Sequence, residues 1–298
     1  LQEGQALAGQ VEDLYAQAAA WNSLGLLEFR REQLEAAREW LEKALWGFEQ
    51  QTEKDFEIVI ADDGSSAETE ALIRRFIENS PLKISHVWQE DQGFQKTKIL
   101  NTAIRVSRAE YLLFTDGDCI PRNDLVHTHL SRSTPGCFLS AGYFKLNMQL
   151  SKKITQEDIV SQRCFDAHWL LKNGLRKTFK LNKLTSKGFK EDFLNTFTTT
   201  SATWDGNNAS GWRKDILAIN GFDERMQYGG EDREMGERLM NYGITPIQMR
   251  YSTVTLHLDH ERSYVKKEMF IKNKAIRRIT KKTKSVWTEF GIEKKVKA

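Results

Sequence analysis

The chain has 298 residues, 40% of them hydrophobic and 29% charged, and a formal net charge of +3. That balance excludes a fibre or a disordered tail, and so small a net charge gives no reason to expect a nucleic-acid partner. No run approaches the ~18 apolar residues that cross a bilayer, and the chain opens on no basic region followed by an apolar core, so a cytoplasmic protein is expected. Cys119, Cys137 and Cys164 are odd in number and lack Cys-x-x-Cys spacing, which predicts reduced, buried thiols rather than disulfides or structural zinc.

Leu1 to about Gln51 reads as helix. Trp21, Leu24 and Gly25, then Ala37, Leu41 and Ala44, follow a tetratricopeptide pattern with no second copy at that repeat's period. The alternative is an amphipathic helical pair packed on the next domain.

From Phe56 the pattern changes to strand alternating with helix. Glu57 to Ala61 is a buried strand running into Asp62-Asp63-Gly64-Ser65-Ser66. A helix is expected from Glu68 to Glu78, a strand from Lys83 to Gln89, and a helix from Lys96 to Ser107. Tyr111 to Phe114 is a short apolar run, predicted as a strand buried on both faces, and it stops at Asp116-Gly117-Asp118. The order predicts a parallel sheet with right-handed crossovers, and ligands bind such sheets beyond the carboxyl ends of their strands. An Asp-x-Asp there can hold a divalent cation through hard oxygen ligands; the plain alternative is a solvated turn. No Gly-x-Gly-x-x-Gly and no Walker loop is present.

Further on, Cys137 to Leu146 predicts a strand, and Thr155 to Asp158 a capping box opening a helix that Gly174 ends. Lys172 to Lys190 is basic and polar, a candidate mobile loop or solvated surface. Trp204 to Asn208 is expected as a strand end and turn beside the cleft. Glu231 to Asn241 predicts a helix stopped by Gly243, with Glu231 and Asp232 in its first turn. Acidic residues there either favour the helix dipole or act as a general base at a cleft rim. Thr253 to His257 is expected to be a strand ending in a candidate metal ligand, with His260 three residues beyond.

Taken together, Gln50-Gln51-Thr52, Asp55 to Ser65, Phe114 to Asp118, Asn220-Gly221-Phe222-Asp223 and Gly229-Gly230-Glu231-Asp232 resemble the family 2 glycosyltransferases of GT-A fold. The closing part resembles the galactosyltransferase-type segment of chondroitin-polymerase-like and bacterial surface-polysaccharide enzymes. The resemblance covers roughly Trp46 to Tyr264. It implies an α/β GT-A fold, a Rossmann-like nucleotide-diphospho-sugar transferase with a mixed sheet flanked by helices. An N-terminal helical pair (residues 1–45), the transferase domain (46–264) and a basic C-terminal helix (265–298) complete the expected organisation.

The resemblance also implies roles. Asp63, with Asp62 beside it, matches the carboxylate that reads the nucleobase, and Lys96, Lys98 and Asn101 lie where relatives contact the donor. Asp116 and Asp118 match the Asp-x-Asp, the first addressing the ribose side and the second the metal, Mn²⁺ or Mg²⁺. His257 matches a further metal ligand, with His260 as its substitute. Asp232 matches the catalytic base and Glu231 an acceptor-orienting carboxylate, with Trp204, Asp223 and Gly230 on the acceptor side. Trp204 either stacks on a sugar or fills the core. The implied partners are a nucleotide-sugar donor, most simply a uridine diphosphate sugar, and a glycan or lipid-linked acceptor, joined with inversion.

One departure stands out. Relatives begin with an extra strand of the form Val-Ser-Ile-Ile-Pro-x-Tyr-Asn that walls the nucleotide pocket, and here helical sequence takes its place. The rival reading is therefore a non-catalytic helical adaptor carrying a degenerate transferase domain. Residues 265–298 hold twelve Lys or Arg against three acidic residues, which predicts either a solvated helix or one lying on the inner face of a membrane.

Overall fold

The computed structural model describes residues 35–261 and 265–294. Trp21, Leu24 and Gly25 of the tetratricopeptide pattern lie outside the described residues. The pattern's second half forms helix α1 (35–49), which runs unbroken across residue 45. Its apolar residues recur at helical spacing and split between neighbours. Trp40 packs with Ile120 and Leu146, Leu45 with Leu72 and Phe76, and Phe48 with Leu82 and Leu125. This helix is part of the transferase core.

Strand β1 (Glu57–Asp62), helix α2 (Ala67–Asn79) and strand β2 (Lys83–Trp88) form a parallel β-α-β unit. Helix α3 (Lys96–Val106) then leads to β3 (Tyr111–Phe114), β4 (Cys119–Pro121), α4 (Leu125–Arg132) and β5 (Cys137–Lys145). Next come α5 (Met148–Lys153), α6 (Gln156–Val160), α7 (Ala167–Lys172), α8 (Asn182–Thr185) and α9 (Phe189–Phe197). The chain closes through β6 (Ala209–Trp212), α10 (Arg213–Ala218), α11 (Glu231–Asn241), β7 (Thr245–His257) and α12 (Lys267–Thr283).

The strands are mixed, as the resemblance implies, and the parallel pairing read from the alternation holds for β1 and β2 but not for β3. β1 and β2 form a two-stranded sheet, while β3, β6, β5, β7 and β4, in that order, form another of five strands. β3 pairs antiparallel with β6 and stands at an edge, so it is not the doubly buried parallel strand its apolar run suggested. Among the described residues nothing pairs with the second edge of β1, whose first five residues are only half-buried.

The strands β5 and β7 form the long centre of the larger sheet. Their register jumps between Ala141 and Gly142, where β7 inserts four residues between Met249 and Val254. A Cβ at Gly142 would lie 2.2 Å from the Arg250 carbonyl oxygen, so only glycine lets the bulge close.

Local signals held at several ends. Thr155 and Asp158 form the expected capping box, although α6 is short and the Gly174 turn follows α7. Gly243, at φ +99°, ends α11. Residues 172–190 are not a loop throughout: they include a 3-10 turn (Phe179–Leu181), α8 and the start of α9. The turn at Gly206 and Asn207 precedes strand β6 instead of ending one. Cys119 and Cys164 are buried free thiols, and Cys137 is half-buried.

The C-terminal segment is bound into the fold. Helix α12 packs on α11, with Asn273 donating to the carbonyl oxygens of Gln227, Tyr228 and Gly229, and Thr280 donating to Glu234. Beyond it, Asn220 donates to the carbonyls of Thr288 and Glu293 and accepts from the Glu293 amide.

Candidate active site

Two pairings bring the acidic motif and the histidines together. β4 pairs with β7 so that Cys119 faces His257, and the Leu258 amide donates to the Asp118 carbonyl at 2.9 Å. Asp118 Oδ2 therefore lies 2.9 Å from His260 Nε2 and 3.8 Å from His257 Nε2. The two imidazoles are parallel, their planes 2° apart. Burial works against charge on Asp118, but the His260 hydrogen bond and both imidazoles hold its carboxyl below the usual range.

The donor chemistry of this group fits a divalent cation. His257 Nδ1 and His260 Nδ1 lie 2.8 and 2.9 Å from carbonyl oxygens, which only accept, so each Nδ1 carries a hydrogen and Nε2 is the nitrogen turned to Asp118. A carboxylate and two Nε2 atoms are drawn together by protons on the rings or by a cation among them. Donor atoms of Asp118, Cys119 and His257 lie within 4.8 Å of one another. Burial and the neighbouring Asp118 and Asp116 push the Cys119 thiol well up, so it stays protonated and a poor ligand.

Asp116 faces away from that group into a cleft lined by Lys96, Leu100, Phe114, Thr115, Gly206, Phe222, Glu231 and Asp232. Its two oxygens take hydrogen bonds from Lys96 Nζ and Asn207 Nδ2. Burial would lower the Lys96 pKa, but Asp116 and Glu231 together carry it above the ordinary value. The Thr115 hydroxyl is buried with no partner among the described residues, a group a bound ligand would satisfy.

Helix α11 presents the other carboxylates. Gly229 and Gly230, at φ +103° and +89°, turn the chain into the helix, and a Cβ on Gly229 would meet the Phe270 ring at 2.6 Å. Glu231 accepts from the Gly229 amide at 2.8 Å, and burial, with Asp232 beside it and Lys96 opposing, raises its pKa. Asp232 accepts from the Gly206 amide at 3.3 Å. Asp205 is raised by burial and by Asp232. Asp205 and Asn207 belong to this constellation; the sequence set them in a turn beside the cleft but gave them no role.

Other sequence candidates stand differently. Asp63 accepts from Gln89 Nε2 and from the Gln95 amide at 2.7 Å, and burial raises its pKa. Asp62 is buried, accepting from the Ser65 amide and pairing with His86 at 2.9 Å, so it holds the turn after β1. Lys98 is exposed on α3. Three candidates have structural work. Asn101 is buried, bonding the Phe222 backbone on both sides and Glu224. Asp223 is 2% exposed and is tied to Arg225 and Thr288, which leaves it no reach to an acceptor. Trp204 is fully buried against Phe114, Phe138 and Gly211, so its ring offers no face to a sugar.

Residues 34–135 match the glycosyl transferase family 2 model, and residues 196–263 match the model described as the N-terminal domain of galactosyltransferase. Among curated proteins the chain is 26% identical to an uncharacterized glycosyltransferase, YfnE, of Bacillus subtilis over 71% of this chain and 59% of that one. It is 28% identical to chondroitin synthase of Escherichia coli over 65% of this chain and 29% of the synthase. It is also 28% identical to validoxylamine A glucosyltransferase of Streptomyces hygroscopicus over 71% of this chain and 50% of that enzyme. The chain thus spans between 29% and 59% of these relatives. Among solved structures it superposes on the mannosyltransferase PcManGT of Pyrobaculum calidifontis, in complex with GDP-Man and Mn²⁺, with a TM-score of 0.51 at 18% identity, over 83% of this chain and 59% of that one. TarS 1–349 of S. aureus in complex with UDP-GlcNAc gives a TM-score of 0.53 at 13% identity, over 84% and 66%. Both likenesses bear on the fold alone. The acidic strand ends, the Gly-Gly-Glu-Asp helix start and the mixed sheet thus lie on a GT-A fold, in a chain whose residues 34–135 match the family 2 glycosyltransferase model and whose residues 196–263 match the galactosyltransferase-type one.

Proposed function

We propose that the protein is a metal-dependent inverting glycosyltransferase that moves a sugar from a nucleoside diphosphate donor to a hydroxyl of a glycan or lipid-linked acceptor, in the assembly of a bacterial surface polysaccharide. The observation that carries this reading is the adjacency of two groups on one loop: Asp118 lies beside His257 and His260, and Asp116, just before it, shares a cleft with Glu231 and Asp232. The activities of the relatives and the nucleotide-sugar complexes of the structural neighbours support it. A cytoplasmic site of action, at the inner face of the membrane, fits a nucleotide-sugar donor.

Asp118, His257 and His260 would hold the cation, Mn²⁺ suiting mixed carboxylate and imidazole donors somewhat better than Mg²⁺. A divalent cation, when bound, supplies positive charge against the charge that grows on the departing diphosphate. Asp63, with Gln89 and Gln95, would receive the nucleobase. Lys96 and Asn207 fix the Asp116 carboxylate toward the ribose side of the cleft. Asp232 would take the proton from the attacking hydroxyl, while Glu231, held by the Gly229 amide, orients the acceptor.

Nucleotide release from a panel of nucleotide sugars with Mn²⁺, with and without acceptor glycans, tests the reading. Release that requires both a donor and the cation supports it, and no release from any donor removes it. The adaptor reading draws on the split sheet, which leaves β1 half-buried on the nucleobase side. It requires that no nucleotide binds at all.

A further inference from the structure

Helix α9 is amphipathic with its faces reversed. Its residues of intermediate exposure point to the protein: Glu191 pairs with Arg132 at 2.7 Å, and Asn195 accepts from the Tyr251 amide at 3.0 Å and donates to Ser252 Oγ at 2.9 Å, both on the β7 bulge. Phe189, Phe193 and Phe197 are spaced by four, so they lie along one side of the helix, opposite Asn195. They are 86%, 49% and 69% exposed, and their rings succeed one another at 6.4 and 4.7 Å. A surface helix normally turns such residues inward. Here the polar contacts to β7 and α4 hold the phenylalanines outward, so a shift of packing cannot bury them without losing those bonds.

The charge around this stripe narrows what covers it. Between residues 172 and 197 the sequence carries seven basic residues against two acidic ones. Lys172, Arg176, Lys177, Lys180, Lys187 and Lys190 are exposed, and Phe179 among them is 69% exposed. Glu191, one of the two acids, is turned inward onto Arg132. A stripe of aromatic rings led into by a run of exposed cations, with Asp192 as the one exposed acid, carries net positive charge that opposes a second copy of itself. It fits a surface that is apolar beneath and anionic above, because rings enter the acyl boundary while lysines meet phosphates.

We propose that α9, with the basic segment leading into it, docks the protein on an anionic lipid bilayer. This surface is separate from α12, which turns Met269, Asn273 and Thr280 into the fold. It does not rest on the proposed transfer reaction, and its test reads no activity.

The test is co-sedimentation of the full chain with vesicles of phosphatidylcholine alone and with one-third phosphatidylglycerol, at low and high salt. The wild type should sediment with the anionic vesicles only, and less at high salt. Each of Phe189→Ser and Phe193→Ser should weaken partition about tenfold, as expected for one aromatic ring kept from an apolar phase. Both residues are exposed, so the melting temperature should not fall; should a variant fail to fold, the charge reversal Lys187→Glu with Lys190→Glu replaces it and should weaken partition likewise. Absence of vesicle binding, equal binding to neutral vesicles, or full binding by the variants overturns the proposal. So does a vesicle-free dimer that Phe193→Ser abolishes, which would assign the face to a second copy.

Discussion

Asp118 and Asp232 carry separable loads, and single substitutions can tell them apart. Asp118 faces two imidazole Nε2 atoms, so Asp118→Ala should remove cation-dependent binding of a nucleoside diphosphate, lowering affinity at least about tenfold. Calorimetry with and without chelator checks this, and equal affinity in both conditions would take the metal out of the account. Asp232→Asn keeps size and helix position but loses basicity, so transfer should fall by about 10²- to 10⁴-fold while donor binding survives. A variant that keeps most of its transfer rate would return Asp232 to the role of a helix-start residue. These residues were legible in the sequence because each sits where an apolar run stops or a helix begins. Trp204, Asp223 and Asn101 were not, because their work depends on distant partners. Phe138 and Gly211 enclose the Trp204 ring, Thr288 caps Asp223, and Phe222 receives Asn101. Nothing in the local sequence announces those contacts.

At the scale of elements, ends proved easier to read than faces. Gly243 and the Thr155 box act within a single turn, so their chemistry is local. Helix α9 lies almost wholly beyond the basic run to Lys190 that read as mobile loop or solvated surface, and it drew no expectation because its apolar residues face outward. Strand β3 escaped for another reason: a short apolar run does not reveal whether its neighbour is parallel or antiparallel. A buried chain of hydrogen bonds ties three of these elements together. His129 on α4 must donate from Nε2 to Asn208 Oδ1 at 2.8 Å, so its Nδ1 accepts from Ser210 on β6 at 2.6 Å, and Ser210 accepts from Tyr111 on β3 at 2.8 Å. That arrangement needs a neutral ring, and burial pushes the His129 pKa down to about 4 from 6.5. Between those values the unfolded chain binds more protons, so the stabilisation is complete above pH 6.5 and drains away as pH falls toward 4. From this residue alone, urea unfolding should lose about 2 kcal/mol between pH 6.5 and 5. His129→Gln should flatten that slope even though it lowers stability at neutral pH. An unchanged slope would mean that other groups set the acid limit.

For the molecule as a whole, the question is what a divided sheet does to a nucleotide site. Strand alternation revealed the β-α-β unit, and the acidic strand ends marked the side on which a ligand was expected. Strand pairing is a long-range property, so the division between the two sheets is not written in any one stretch. β1 and β3 share one apolar cluster through Ile58 and Leu113, yet neither pairs with the other, and the outer edge of β1 leaves its backbone donors and acceptors without a described strand. Asp63 leaves the carboxyl end of that half-buried strand, so the side proposed to receive the nucleobase rests on an element that is paired, among the described residues, on one edge. Donor affinity should therefore be weak in the native chain. Grafting an apolar strand ahead of α1, in place of residues 1–34, should let it pair beside β1, bury Ile58 and Ile60 more fully, and stiffen the position of Asp63. Uridine diphosphate should then bind about tenfold more tightly, a gain of ~1.4 kcal/mol, and amide exchange along β1 should slow. Both readouts are needed, because slower exchange without tighter binding would mean that the strand repairs the sheet but does not form the pocket. If the native chain already binds tightly and the graft changes neither quantity, the open edge is no handicap, and the nucleobase is held by Asp63, Gln89 and Gln95 without a wall beside them.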